Sequence, residues 1–227
     1  MGIQERKERE KEHRREEILD AAQEVFFRKG LLPATMDDIA EEAELSKATL
    51  YLYYKSKEDL YLGVAMRGLD ILEGMFNRAI DKALSPVPTL LSFIDALEEF
   101  FETRRNYFRL FTFFQTPQFH TEVSLEMRES CIAANHRIWK LIISVLRRGI
   151  EDGVIRKDID PIDLAIISWS STTALMFRID TELERWKERM GVDLRKTLRL
   201  SNRLLLQAML TDEGRRQLAQ QDSLLGL

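Results

Sequence analysis

The sequence predicts an all-α protein, with a three-helix head containing a helix-turn-helix at the N-terminus and a larger helical body behind it. Three observations carry this. Ten Gly and five Pro in 227 residues are too few for a turn-rich β fold. Apolar residues recur at spacings of three and four through most of the chain, and no stretch alternates with the period of a strand. Two short helical segments, each with its own cap signal, stand back to back near residue 45. Apolar residues make up 44% of the chain, enough for a sizeable core, which argues against global disorder.

Glu5–Lys29 reads as a long helix. Ile18, Ala21, Ala22, Val25 and Phe26 form one apolar face, and Gly30 is a stop. Its first turns, Glu5–Glu17, are almost all charge and pair at i, i+4 on a solvated face, with Arg14 and Arg15 available to phosphates. Thr35 is an N-cap for Met36–Ala43, with Asp37 and Asp38 in the first turn, where acids complement the helix dipole. Glu44-Leu45 is the turn, and Ser46 caps a third helix, Lys47–Tyr53. Ser56 and Asp59 resemble a capping box that opens a fourth helix, Lys57–Leu84. Ser85-Pro-Val-Pro88 is a boundary. Helical spacing returns in Thr89–Arg104, and an aromatic segment follows at Asn106–Gln115. Thr121–Glu151 is a long amphipathic helix ended by Gly153. Asp160-Pro161 starts another that runs to Thr181 or Met190, and Gly191 separates it from Asp193–Leu210. The polar tail from Thr211 is expected to fray. The expected domains are residues 1–55 and 56–227, with helix 57–84 connecting them.

Several function classes drop out. Cys131 is the only cysteine, so neither an internal disulfide nor a cysteine-rich metal site is available, and the three histidines lack metal-ligand spacing. No nucleophile–base pair, carboxylate pair or Gly-rich phosphate loop emerges, so neither an enzyme nor a cofactor is expected. The longest uncharged apolar stretch, Leu164–Phe177, falls short of the roughly 20 residues a membrane helix needs. With no export signal near Met1, a cytoplasmic protein without a membrane partner is expected. The net charge of −4 does not advertise a nucleic-acid binder. Residues 1–60 hold 11 basic and 15 acidic side chains, whereas the remainder balances at 23 of each. Any DNA-binding face must therefore be local. Asp37–Glu44 carries five acids and no base; Leu45–Lys57 carries Lys47, Lys55 and Lys57 and no acid.

Residues 36–54 read as helix, tight turn, helix. Leu45, Leu50 and Tyr54 fall on the inner side of the second helix, leaving Lys47, Ala48, Thr49, Tyr51, Leu52 and Tyr53 at or near the outer side. Ala, Leu and two Tyr facing outward are odd for a solvated helix but fit one that enters a DNA groove. Ala and Leu meet thymine methyls, Lys47 reaches guanine edges, and Tyr hydroxyls meet phosphates. The plainer alternative is a short core helix with aromatic packing.

The run Thr35-Met-Asp-Asp-Ile-Ala40, Leu45-Ser-Lys-Ala-Thr-Leu-Tyr51 and Tyr54-Lys-Ser-Lys-Glu-Asp-Leu60 resembles the TetR/AcrR family of bacterial transcriptional regulators, over about residues 14–62. The resemblance implies nine to ten helices, a three-helix DNA-binding head and a C-terminal ligand-binding and dimerisation body. By position it implies DNA contacts from Thr35, Ser46, Lys47, Ala48, Thr49, Tyr51, Tyr53 and Lys57. Thr35 and Lys57 would grip phosphates, Lys47 and Thr49 would read base edges, and Tyr51 and Tyr53 would reach the backbone. The chain departs from the family pattern in having Glu44 where Gly is usual, Ala48 where Gly is frequent, and Tyr54 where Phe is usual. The expected function is a ligand-responsive repressor. As a homodimer on a palindromic operator of double-stranded DNA, it would be nucleoid-associated when bound. A small apolar or amphipathic effector would release it, with helix 57–84 as transmitter. The alternative is a helical small-molecule-binding protein of the same fold with weak or lost DNA binding.

Eight of the twenty aromatic residues fall within 100–119. They suggest a pocket lined by Phe100, Tyr107, Phe108, Phe111 and Phe114, with Trp139, Trp169 and Met176 as the far wall and Asn135 as a polar anchor. The alternative is core packing. Small residues beside apolar ones in the last two long helices suggest a dimer face with Ser170, Ala174, Phe177, Leu198, Leu205 and Met209.

Overall fold

The structure of the protein, a computed structural model, describes residues 2–82, 85–111 and 121–225. Among these residues the chain forms ten helices and one isolated β-bridge, between Ile155 and Leu210. The helices are α1 (Ile3–Lys29), α2 (Met36–Glu42), α3 (Lys47–Tyr51), α4 (Lys57–Lys82), α5 (Pro86–Thr103), α6 (Arg105–Leu110), α7 (Leu125–Glu151), α8 (Pro161–Met190), α9 (Leu194–Met209) and α10 (Asp212–Leu225). None of them is long and apolar enough to cross a membrane. The chain divides into two compact units: residues 1–71 with 104–135, and residues 72–103 with 136–227. Of the three divisions, two fall inside α4 and α7 and the third between α5 and α6.

The first unit is built on the apolar stripe of α1. Ile18, Ala22, Val25 and Phe26 are buried against Ile39 of α2, Leu50 of α3 and Leu60, Leu62 and Val64 of α4. Phe26 meets Tyr61 edge-on at 5.1 Å, and burial pushes the Tyr61 hydroxyl pKa upward. Asp59, buried in the first turn of α4, accepts the Ser124 N–H at 2.8 Å and so ties that turn to the start of α7. Ala-sized space is lacking at Gly68, where a Cβ would lie 3.0 Å from Tyr107. The Tyr107 ring meets Phe27 at 5.1 Å, and its hydroxyl donates to Gln23 Oε1.

In the second unit Phe76 stacks on Phe93 at 4.4 Å. The ends of α8 follow from sequence chemistry. Asp160 accepts the Ile162 N–H ahead of Pro161, and Gly191 takes the left-handed conformation at φ 65° to close the helix. The tail does not fray as expected: residues 212–225 are α10. Its anchors are Leu218, which is buried, and Gly214, where a Cβ would lie 2.2 Å from the Val154 carbonyl oxygen. Thr211 N–H donates to that same carbonyl, so tertiary contact supplies what the polar composition did not advertise.

Candidate nucleic-acid interface and effector cavity

The α2–α3 pair is set by two caps. Thr35 Oγ1 accepts the Asp38 N–H while Asp38 accepts the Thr35 N–H, a reciprocal capping box. Ser46 Oγ accepts the Thr49 N–H at the start of α3. Leu50 and Tyr54 are buried and Leu45 half-buried. On the other side Ser46, Lys47 and Ala48 are exposed, Thr49 is half-buried, and Tyr51 and Leu52 are 49% and 81% exposed. The outward face expected of a groove-reading helix is therefore present. Tyr53 departs from it: the ring is half-buried and packs on the core of the first unit, because α3 ends at Tyr51 and the chain turns back.

Ion pairs resolve the acidic character of α2. Asp37 pairs with Lys47 at 2.9 Å, Asp38 with Lys29 at 2.8 Å, and Glu42 with Arg28 at 2.8 Å. The hydrogen bond from Lys29, then those from Thr35, hold the Asp38 carboxyl below its ordinary pKa. Asp37 likewise holds the Lys47 ammonium charged to higher pH. Thus three of the five acids in Asp37–Glu44 are matched by bases of the head itself. Glu44 occupies the turn at φ 54°, in the left-handed region that favours Gly.

Lys57 does not take the phosphate-gripping position expected of it. Its ammonium donates to the carbonyls of Leu31, Leu32 and Ala34, at 3.1, 3.4 and 3.1 Å. Those carbonyls follow the end of α1 and have no helical partner of their own, so the charge is spent closing the α1–α2 loop. Thr35, by contrast, stays exposed at the start of α2.

A cavity of about 630 Å3, its open mouth included, lies within the second unit. Phe76, Phe93 and Leu97 form one side, with Ile142 of α7, and Trp169 of α8 and Leu206 of α9 complete it. Asn202 and Thr172, both buried, supply its polar end. Of the aromatic set expected to line a pocket, only Trp169 does so among the described residues. Phe100, Phe108 and Met176 are wholly buried core, and Trp139 stands behind Trp169 at 5.7 Å between ring centroids. Tyr107, Phe108, Phe111 and Asn135 belong to the first unit, and Phe114 lies outside the described residues. The signal that locates the cavity is quieter: Leu90, Phe93, Ile94 and Leu97 on α5 repeat at helical spacing, as do Asn202, Leu205, Leu206 and Met209 on α9.

Two residues expected at a dimer face are corrected. Leu198 is buried, and Met209 is buried beside the cavity, so neither offers surface to a partner. Leu205 is half-buried and also lines the cavity. Ser170 and Ala174 are exposed and Phe177 half-exposed. Ile162 precedes Ile166 by one turn on α8, and Leu200 precedes Leu204 by one turn on α9, all four exposed; Ile162 and Leu200 are the two that the sequence reading of these helices missed.

An exposed recognition helix on a three-helix head defines a helix-turn-helix DNA-binding regulator. Residues 18–64 match the family described as "Bacterial regulatory proteins, tetR family". The chain is 29% identical over 170 residues to the HTH-type transcriptional repressor KstR2 of Mycolicibacterium smegmatis, spanning 73% of this chain and 78% of that protein. It is 35% identical over 100 residues to the HTH-type transcriptional activator FasR of the same species, 44% of this chain and 46% of that one. Thermus thermophilus FadR, a TetR-family repressor solved in complex with lauroyl-CoA, superposes with a TM-score of 0.61 at 25% identity, over 87% of this chain and 95% of that one. The head, residues 18–64, is a DNA-binding domain of the tetR family, and the chain is a DNA-binding transcriptional regulator.

Proposed function

We propose that the protein is a one-component repressor that holds a palindromic operator as a homodimer and lets go when a small apolar or amphipathic effector fills the cavity of the second unit. The observation that carries the DNA half is the outward face of α3, where Ser46, Lys47, Ala48, Tyr51 and Leu52 stand exposed over a buried Leu50. The relative matched over the longer stretch, 170 residues against 100, is a repressor, which favours that sign of regulation. KstR2 of Mycobacterium tuberculosis is a ketosteroid transcriptional regulator, and Thermus thermophilus FadR was solved with lauroyl-CoA. Both favour a hydrocarbon-rich effector. The exposed apolar pairs Ile162/Ile166 and Leu200/Leu204, with Ser170 and Ala174 beside them, suit a self-complementary face. α4 contributes residues to both units and is the proposed transmitter.

A second reading, an effector-binding protein with weak DNA affinity, is favoured by one observation: Lys47 is already engaged by Asp37. Gel shift against DNA upstream of the gene, at about 50 and about 200 mM salt, separates the two. Specific binding that weakens by orders of magnitude with salt supports the repressor. Equal, weak retention of specific and random DNA supports the second reading.

A further inference from the structure

We propose that the cavity of the second unit selects an uncharged, mostly hydrocarbon molecule carrying one hydroxyl group, and that Asn202 and Thr172 read that hydroxyl. The proposal rests on the cavity being the effector site and names the chemistry of its ligand.

The polarity of the site is fixed from outside the cavity inward. Glu98 of α5 accepts from Asn202 Nδ2 at 3.3 Å. A carboxylate is an acceptor, so the amide must turn its nitrogen toward it. The amide oxygen then faces Thr172, whose hydroxyl donates to it at 2.7 Å. Two capacities remain. Asn202 Nδ2 has a second N–H to give, and Thr172 Oγ1 keeps lone pairs to receive. One donor and one acceptor side by side match an alcohol, which accepts from the first and donates to the second.

Charged ligands meet the opposite treatment. No Lys, Arg, His, Asp or Glu lines the cavity among the described residues, so an ionised head would be buried uncompensated. A carboxylate placed against Asn202 would also feel Glu98 directly behind the amide. Arg199 acts on Glu98 from an exposed position and Arg195 is paired with Glu102, so neither base reaches the cavity wall. An ammonium could donate to Thr172 Oγ1 but would meet the remaining N–H of Asn202, a donor against a donor, and its charge would be buried with no carboxylate in the wall to pair with. Among the described residues Ser168 and the indole of Trp169 are the other polar side chains of the wall, and the remainder, Phe93, Leu97 and Leu206 among it, offers apolar contact to a chain or ring system.

Trp169 in the wall gives the readout, through its fluorescence in the full-length protein. Three probes with the same ten-carbon chain are titrated below their aggregation limits: 1-decanol, decanoate and decylammonium. The expected result is 1-decanol binding roughly tenfold or more tighter than either ion, with that preference shrinking in Asn202→Leu and in Thr172→Val. Thr172→Val keeps the side-chain volume and carries the test if Asn202→Leu fails to fold. Equal affinities, or an ion that binds best, overturn the selection while leaving the effector cavity standing. A preference for the alcohol that survives both substitutions assigns it to hydrophobicity alone and overturns the reading by Asn202 and Thr172. No binding by any of the three removes the effector cavity itself.

Discussion

Glu44 holds a backbone conformation, φ 54°, that costs an L-residue about 1–2 kcal/mol, and it places a carboxylate in the turn before the recognition helix. Gly would relieve the strain but lose more entropy on folding, so Glu44→Gly is expected to stabilise the protein by about 0.5–1 kcal/mol in denaturant titration. It is also expected to raise DNA affinity a few-fold. Glu44→Gln separates the two effects: it should share the gain in affinity and show none of the gain in stability. Lys57 and Lys47 divide in a similar way. Lys57 is spent on three loop carbonyls, so Lys57→Ala is expected to destabilise the head by about 1–2 kcal/mol and to leave the salt dependence of DNA binding nearly unchanged. Lys47 is exposed and held only by a surface ion pair, an attachment that DNA can displace at little cost. Lys47→Ala is expected to weaken specific binding roughly 10- to 100-fold with little loss of stability. A salt slope that falls by about one unit in Lys57→Ala would restore the phosphate contact read from the sequence.

At the scale of elements, what was legible is what short-range chemistry writes. The caps Thr35 and Ser46, the stop at Gly191 and the Asp160-Pro161 start each act within one turn, and each stands where the sequence placed it. The outward face of α3 was legible for the same reason, since Leu50 and Tyr54 are one turn apart. The cavity was not legible. Aromatic density near residue 100 signalled a pocket, yet Phe100, Phe101 and Phe108 are core, and the cavity is walled by mostly aliphatic positions on five helices whose packing no local pattern declares. α10 was missed because its anchors, Gly214 against Val154 and a buried Leu218, are tertiary. The Glu98–Asn202 bond between α5 and α9 is of the same kind and has a measurable signature. Burial first, then neighbouring Asp95, push the Glu98 carboxyl above its ordinary pKa against the weaker pull of Arg199 and Asn202. The unfolded chain therefore gives up this proton first. The fold is penalised as pH rises through the unfolded value, and the penalty is complete above the folded one. Glu98→Gln keeps an acceptor for Asn202 and removes the charge. It is expected to raise the Tm by about 1–2 °C at neutral pH, the half-exposed site being partly screened, with the gain vanishing near pH 4. A gain that is equal at both pH values would show that the charge is not its source.

For the whole molecule, operator recognition requires that two copies of α3 be offered together, because one five-residue helix with one lysine at its tip commands too few contacts for specific binding. The face that suits pairing lies on α8 and α9, where Ile166 and Leu204 are 47% and 56% exposed in the single chain. Large aliphatic side chains left in water on both helices, with exposed Ser170 and Ala174 permitting close approach, are what a two-fold interface uses and what a monomer has no reason to keep. Ile166→Glu with Leu204→Glu places four carboxylates across a dimer axis while disturbing nothing buried in the chain. Helix content and thermal unfolding of the isolated chain should therefore stay intact. Light scattering is expected to show the wild type as a dimer and the double variant as a monomer. Operator affinity is expected to fall on the order of 100-fold, because the second head no longer binds as part of the same particle. Glutamates that leave the dimer intact would move the interface elsewhere. A wild type that is monomeric at micromolar concentration, yet still selective for its operator, would remove the two-fold argument and leave α3 to act alone.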